Sequence, residues 1–287
     1  MTTLGRLLPA SLRNAVGTAR YLGWCEYLRA RFLGAWYRSR YRRLCPPLEP
    51  DQFFVPPDIT LRIDPRSRNA FERYTVAEPQ VIDELNSFVK MSRDLHCLID
   101  AGAEYGLFSL AFTSRSGARA YALDPSPATL PVLLENVRLN PAHRIEAVNA
   151  ALGESGGTLQ MAFDGIMLHA ASTRTLAAGA KLHSVPVVTI DRFSAERGLA
   201  PDAIKIDVEG YELAVLRGAS ETLARCHPTI FLEIHPQDLA ATGATAAELF
   251  AWLRDRGYRF FSCRARPLDD PARWAGNRVR RLVCVGR

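Results

Sequence analysis

The residues of this chain best suited to chemistry are carboxylates at the ends of apolar runs. The run Leu95–Ile99 stops at Asp100 and gives way to Gly102-Ala103-Glu104-Tyr105-Gly106, after which an apolar pattern of helical period begins. A second run, Ala118–Leu123, stops at Asp124. Strand, glycine turn, helix, strand and acid form the layout of a nucleoside-binding crossover. The glycines let the backbone pass close under a ligand, and the acid can accept both ribose hydroxyls. The turn is not G-x-G-x-x-G: it has one glycine fewer, and Asp100 directly precedes it. This predicts an adenosine ligand without a pyrophosphate, and S-adenosylmethionine is the obvious candidate.

A second acid pair lies in Ile204-Lys205-Ile206-Asp207-Val208-Glu209-Gly210, followed by Tyr211-Glu212. Asp207 and Glu209 are two apart and share one face of an extended strand. Two acids at a strand end are costly unless solvated, paired or functional. Glu212 suits a plainer reading, an acid at a helix N-terminus. A third set, Glu233-Ile234-His235, closes the run Thr229–Ile234. A histidine two places after an acid suits a general base near neutral pH, and equally a structural strand-end histidine. Strands ending side by side would bring Asp207, Glu209, Glu233 and His235 together, to take a proton directly or through a divalent metal. No spacing among them is diagnostic of a metal. The metal-free use is therefore expected, with Asp207 or His235 as base and Glu209 and Glu233 as supports.

Such groups need a sheet to align them. Strand-like runs fall at 95–100, 118–123, 144–149, 185–190, 203–208, 229–234, 258–263 and 281–285, and helical periods at 105–115, 127–139, 211–224 and 245–256. This alternation predicts a doubly wound, mostly parallel α/β sheet. The last run follows a long connection and can return as one antiparallel strand. A helix over 78–91 would bury Val81, Leu85, Phe88 and Val89. Residues 12–44 show a broken helical pattern, and prolines from Pro46 to Pro65 punctuate a loop-rich connector. Residues 156–181, with His169 and Ser172-Thr173-Arg174, read either as a mobile substrate segment or as a surface insertion. The expected organisation is a basic helical extension with its connector over 1–70 and an α/β domain over 71–287.

The 287 residues suffice for one core with appendages. The net charge of +6 is concentrated at one end, where nine arginines from Arg6 to Arg43 face only Glu26. The remainder is close to neutral, so no nucleic-acid surface is implied. Residues 1–45 could lie on an anionic membrane surface or cover the domain, and interrupting glycines favour the cover. Six scattered cysteines lack C-x-x-C or zinc spacing, which fits a reducing, cytoplasmic setting. No run approaches the roughly 18 apolar residues of a spanning helix, and a cleaved signal is not expected.

The blocks also resemble a family. Asp100-Ala101-Gly102-Ala103-Glu104-Tyr105-Gly106, Tyr121-Ala122-Leu123-Asp124-Pro125-Ser126, Leu134-x-Asn136-x-x-x-Asn140, Ala150-Ala151-Leu152-Gly153, Lys205-Ile206-Asp207-Val208-Glu209-Gly210 and Leu216-x-Gly218-Ala219 look like the FkbM family. The resemblance covers roughly residues 75–260. It implies a class I, Rossmann-like methyltransferase using S-adenosylmethionine, typically on hydroxyls of sugars, polyketides and other secondary metabolites. It implies that Asp100 and the turn of Gly102, Ala103, Glu104 and Gly106 hold the methionine part of the cofactor. Asp124 would hold the ribose, and the region around Asn149, Ala150 and Ala151 would edge the adenine. Two positions depart from the usual pattern: Glu104 stands where Asn is usual, and Asp124 where Glu is usual.

The expected function is O-methylation of a sugar, glycan, lipid or secondary metabolite. Two alternatives remain. One is a non-catalytic adenosine-binding or scaffold protein of the same fold. The other is an NAD-type oxidoreductase, which the missing third glycine disfavours.

Overall fold

The computed structural model describes residues 24–77, 79–115, 117–163, 168–170, 181–275 and 280–286. Its strands, in chain order, are β1 (Gln52–Val55), β2 (Ile59–Arg62), β3 (Cys97–Ala101), β4 (Arg119–Leu123), β5 (Arg144–Val148), β6 (Ala151–Leu152), β7 (Gly157–Phe163), β8 (Leu168–Ala170), β9 (Lys181–Val188), β10 (Ala203–Ile206), β11 (Thr229–Ile234), β12 (Arg259–Ser262) and β13 (Arg280–Val285). The main sheet has the order β12-β13-β11-β10-β3-β4-β5. Five strands from β11 to β5 run parallel, and β13 lies antiparallel between β11 and β12. This is the expected doubly wound α/β class. The chain leaves β3 toward β4 and β5, then crosses to β10 and β11 on the other side. The ends of β3 and β10 therefore flank the topological switch point, where such sheets bind ligands.

Alternation along each strand decides which face a side chain joins. Ile99, Ala101, Ile204, Ile206, Leu232 and Ile234 pack on one face beneath the helices Ile190–Arg197, Glu212–Arg217 and Ala246–Arg254. Leu98, Ala203, Phe231 and Val283 pack on the other, against the helices Pro79–Met91 and Leu107–Thr113 and the β1–β2 hairpin. Asp100, Lys205, Glu233 and Arg281 each lie two residues from a member of this second set. They form a charged row on its face, near the carboxyl ends of the parallel strands.

The expected helices are present, most of them with shorter bounds. The run 211–224 is divided into helices Glu212–Arg217 and Ser220–Cys226. At the break, a Cβ on Gly218 would stand 2.0 Å from the Gly153 carbonyl oxygen, so only glycine fits. Helix Ala246–Arg254 opens with a capping box between Thr245 and Glu248. The connector predicted as loop contains the β1–β2 hairpin, whose Phe53, Val55 and Leu61 are fully buried.

Beyond Gly156, the described residues of the segment 156–181 form strands. It contributes β7 and β8 to a second sheet of order β6-β9-β7-β8. The strand expected at 185–190 is β9 of this sheet, not a member of the main one. Ser172, Thr173 and Arg174 lie outside the described residues. Of the amino-terminal helix, Trp24–Leu44 is described. It docks through Tyr37, hydrogen-bonded to Asp83, and Tyr41, whose ring meets Phe54 edge-on at 5.8 Å. Among the described residues no helix is long and apolar enough to cross a membrane.

Candidate active site

Beyond β3 the chain turns through Gly102 at φ +79°. A Cβ there would lie 1.8 Å from the Asp207 carbonyl oxygen, so the turns after β3 and β10 touch across the switch point. The amides of Gly102 and Ala103 donate to the Leu123 carbonyl at 3.0 and 3.1 Å and pin the turn to β4. Glu104 is left-handed at φ +50°, a conformation costing a non-glycine residue about 1–3 kcal/mol. Its amide donates to Asp124 Oδ2 at 2.9 Å, which helps hold that geometry. Burial, then the Asp207 and Asp124 charges, push the Glu104 carboxyl up to about 7.

Asp100 is buried and accepts the Ser109 hydroxyl at 2.7 Å, fastening the following helix to its strand. Burial pushes its carboxyl up to about 6, against the pull of Ser109 and Lys205. The carboxylate of Asp124 accepts the Ser126 amide at 2.9 Å and the Thr129 hydroxyl at 2.6 Å on Oδ1, besides the Glu104 amide on Oδ2. Burial raises its pKa, and these hydrogen bonds oppose the rise.

A cavity of about 330 Å³ opens between these groups. It lies at the small end of the range for ligand pockets. Asp100, Gly102, Ala103, Glu104, Asp124 and Ala150 line it from the expected cofactor set, and Asp207, Glu209 and Glu233 from the expected catalytic set. Three expected residues are not among its lining. Gly106 starts the helix Leu107–Thr113, Asn149 is exposed elsewhere, and His235 is buried.

The structure brings the second group together. His235 Nε2 stands 3.5 Å from Glu233 Oε1, 3.6 Å from Glu209 Oε2 and 3.8 Å from Asp207 Oδ1. Its Nδ1 is 2.9 Å from Oε1 of the fully buried Glu212. That same oxygen accepts the backbone amides of Gly210 and His235 at 3.1 and 3.3 Å. Burial alone would lower the imidazole pKa. The carboxylates of Glu212 and Glu233, with Asp207 and Glu209, overcome it and drive the value up to about 11. An imidazole held protonated cannot accept a proton, which weighs against His235 as the base. Burial works against the ionised form of Asp207, yet Lys205, His235 and Arg281 hold its pKa below the ordinary value. Burial raises Glu209, and burial with the Asp207 charge pushes Glu233 up to about 7.

Charges not included in the expected site hold this arrangement. Lys205 Nζ lies 3.0 Å from Glu84 Oε1 and 3.6 Å from Asp207 Oδ2. Arg281 bridges Glu84 Oε2, at 2.7 Å, and Glu233, its cross-strand partner. Signals existed for each. Glu84 interrupts the buried helical stripe of Val81, Leu85 and Phe88, Lys205 interrupts an apolar strand, and Arg281 opens one. Glu212, read as a helix-terminus acid, is in the first turn of its helix and is also the anchor of the imidazole.

The lining chemistry tests the expected cofactor. Six acids, Asp100, Glu104, Asp124, Asp207, Glu209 and Glu233, line the cavity against three cations, Arg73, Lys205 and Arg281. Such a wall repels a pyrophosphate. It suits hydroxyls, a sulfonium and an ammonium. The residues present therefore fit S-adenosylmethionine better than a dinucleotide.

The family model for the methyltransferase FkbM domain matches residues 100–260. Over 157 residues the chain is 31% identical to methyltransferase sdnD of Sordaria araneosa, an alignment covering 43% of this chain and 60% of that protein. The chain thus spans about 60% of the length of the curated relative it matches. Among solved structures, methyltransferase FkbM from Methylobacillus flagellatus KT superposes with a TM-score of 0.41 at 17% identity, covering 77% of this chain and 59% of its own. A TehB-like SAM-dependent methyltransferase from Corynebacterium glutamicum gives 0.41 at 12% identity, covering 77% and 97%.

Proposed function

Because the chain belongs to the FkbM methyltransferase family, we propose that it moves the methyl group of S-adenosylmethionine to a hydroxyl of a sugar, glycan, lipid or secondary metabolite. The observation that carries this reading is the carboxylate-lined cavity at the switch point, with a second acid cluster at its inner wall. Asp100 and the turn Gly102–Glu104 would hold the methionine part, Asp124 the ribose, and Ala150 one edge of the adenine. When bound, the cofactor supplies an electrophilic methyl on a cationic sulfur.

The chain's own task is alignment and removal of one proton. Asp207, ionised and 22% exposed at the side chain, is the group we assign to receive the acceptor's hydroxyl proton. Glu209 and Glu233 orient the acceptor. His235, behind them, keeps their charges in place and does not act as the base.

Calorimetry with S-adenosylhomocysteine and with NAD tests the cofactor half. Binding of the first alone is expected, and binding of NAD alone would overturn the reading. Labelled methyl transfer to a panel of glycans, lipids and hydroxylated metabolites tests the acceptor half. Asp207→Asn should lower turnover about 100-fold or more while leaving S-adenosylhomocysteine affinity nearly unchanged. An active Asp207→Asn protein would remove Asp207 from the role.

A further inference from the structure

The cluster at the inner wall carries more negative charge than its fixed cations offset. Among the described residues, the five acids Glu84, Asp207, Glu209, Glu212 and Glu233 are tied by short contacts to three cations, Lys205, Arg281 and the protonated His235. Two of its oxygens, Glu212 Oε2 and Glu233 Oε2, are without a hydrogen-bond partner. Glu233 is 3% exposed, its Oε1 is taken by Arg281, and its Oε2 has no hydrogen-bond partner. A buried carboxylate oxygen left without a partner is costly.

The spacing around His235 is that of ligands, not of hydrogen bonds. The distances of 3.5, 3.6 and 3.8 Å from Nε2 to three carboxylates are too long for hydrogen bonding. Atoms each about 2.1 Å from one ion stand about 3.0–3.5 Å apart when adjacent and about 4.2 Å apart when opposite. Asp207, Glu233 and His235 each offer one such atom, and all three atoms lie within 4.8 Å of one another. The ring is also oriented as a metal-bound histidine usually is. Its Nδ1 faces the buried Glu212 carboxylate and its Nε2 faces the cluster, the carboxylate–histidine–metal arrangement.

We propose that Asp207, Glu233 and His235, with Glu209 on the open side, form a binding site for one divalent cation, which takes the place of the proton on His235 Nε2 and releases it to solvent. Oxygen ligands outnumber nitrogen three to one, which favours Mn²⁺ or Mg²⁺ over Zn²⁺. Asp207 and Glu209, at 22% and 36% side-chain exposure, leave the outer side open to oxygens of an acceptor. The cation would bind the acceptor hydroxyl and ease loss of its proton to Asp207. That use rests on the methyl-transfer reading, whereas cation binding itself does not.

The test is a titration of the full chain, stripped with EDTA, with MnCl₂. It is followed by loss of the free-Mn²⁺ paramagnetic resonance signal and by calorimetry. One Mn²⁺ per chain is expected, with ¹⁴N coupling from an imidazole in the bound-ion spectrum. Asp207→Asn and His235→Ala should each weaken binding at least about 10-fold, and Glu212→Gln by about 10–100-fold. Circular dichroism checks that each variant is folded, and the ¹⁴N coupling decides the matter on wild type if they are not. S-adenosylhomocysteine affinity is measured on the same stripped protein. Folded wild type that binds neither Mn²⁺ nor Mg²⁺ overturns the site, as does Mn²⁺ binding without ¹⁴N coupling, equal binding by the folded variants, or response to ZnCl₂ alone. If S-adenosylhomocysteine still binds in that case, the methyl-transfer reading stands without the cation. Mn²⁺ binding with ¹⁴N coupling but without S-adenosylhomocysteine binding supports the cation site and overturns the methyl-transfer reading.

Discussion

Three of the roughly four acceptor positions on the Asp124 carboxylate are already filled by the Glu104 amide, the Ser126 amide and the Thr129 hydroxyl. About one remains for a ribose, so the expectation that this acid takes both hydroxyls narrows to a single strong bond plus turn-holding. Asp124→Asn should therefore lower S-adenosylhomocysteine affinity about 10–100-fold, the equivalent of one charge-assisted hydrogen bond of about 1.5–3 kcal/mol. It should lower thermal stability as well. Calorimetry and a melting curve on the same protein check both, and unchanged affinity would remove Asp124 from the cofactor set. At this scale the acids at strand ends were legible because period-two spacing places Asp207 with Glu209 and Glu233 with His235. The Lys205–Glu84 and Arg281–Glu84 pairs were not. Each charge interrupts an apolar pattern, but nothing local names a partner that lies in a distant element. Asn149 shows the converse failure: adjacency to Ala150 along the chain did not carry it into the cavity lining.

Between elements, the site depends on two turns in contact. A side chain at Gly102 would meet the Asp207 carbonyl oxygen at 1.8 Å and would also have to adopt φ +79°. Gly102→Ala should cost at least about 1–3 kcal/mol from the backbone conformation alone, more with the clash, and should abolish S-adenosylhomocysteine binding. Urea unfolding with and without ligand reads both effects. A stable variant with wild-type affinity would mean that the two turns do not touch. The second sheet was legible only in part: its strand at 185–190 was read, but its partner β7 lies in the segment read as a mobile substrate segment or a surface insertion. Pro186 lies inside β9, and a proline argues against a central strand. The structure resolves the conflict through pairing lengths. β7 pairs with β9 from Lys181 to Val187, while β6 reaches only Val187 and Val188, so Pro186 has a strand on one side only. The β1–β2 hairpin was masked by the prolines around it, although Phe53 and Leu61 pack in the core beside Phe88.

For the molecule as a whole, the doubly wound order was legible because alternation of strand and helix constrains a sheet strongly, whereas its energetic cost was not. That cost is a set of carboxyls buried at the carboxyl ends of the strands. Burial lifts Asp100 from an ordinary 3.8 to about 6 and Glu104 from 4.5 to about 7. Folding thus favours their protonated forms. The contribution is fully present below the unfolded values near 4 and is lost as pH rises through about 6 to 7. For Asp100 alone the loss is on the order of 3 kcal/mol. The ligand-free chain should therefore be more stable at pH 5 than at pH 8, and Asp100→Asn should flatten the slope. Cofactor binding should follow the opposite trend. A sulfonium and an ammonium favour ionised neighbours, so binding releases protons from these acids, and affinity for S-adenosylmethionine should rise from pH 5 to pH 8. Urea midpoints and calorimetric affinities across that range measure the two trends on one protein. If stability and affinity rose together with pH, the buried carboxyls would not face the cofactor.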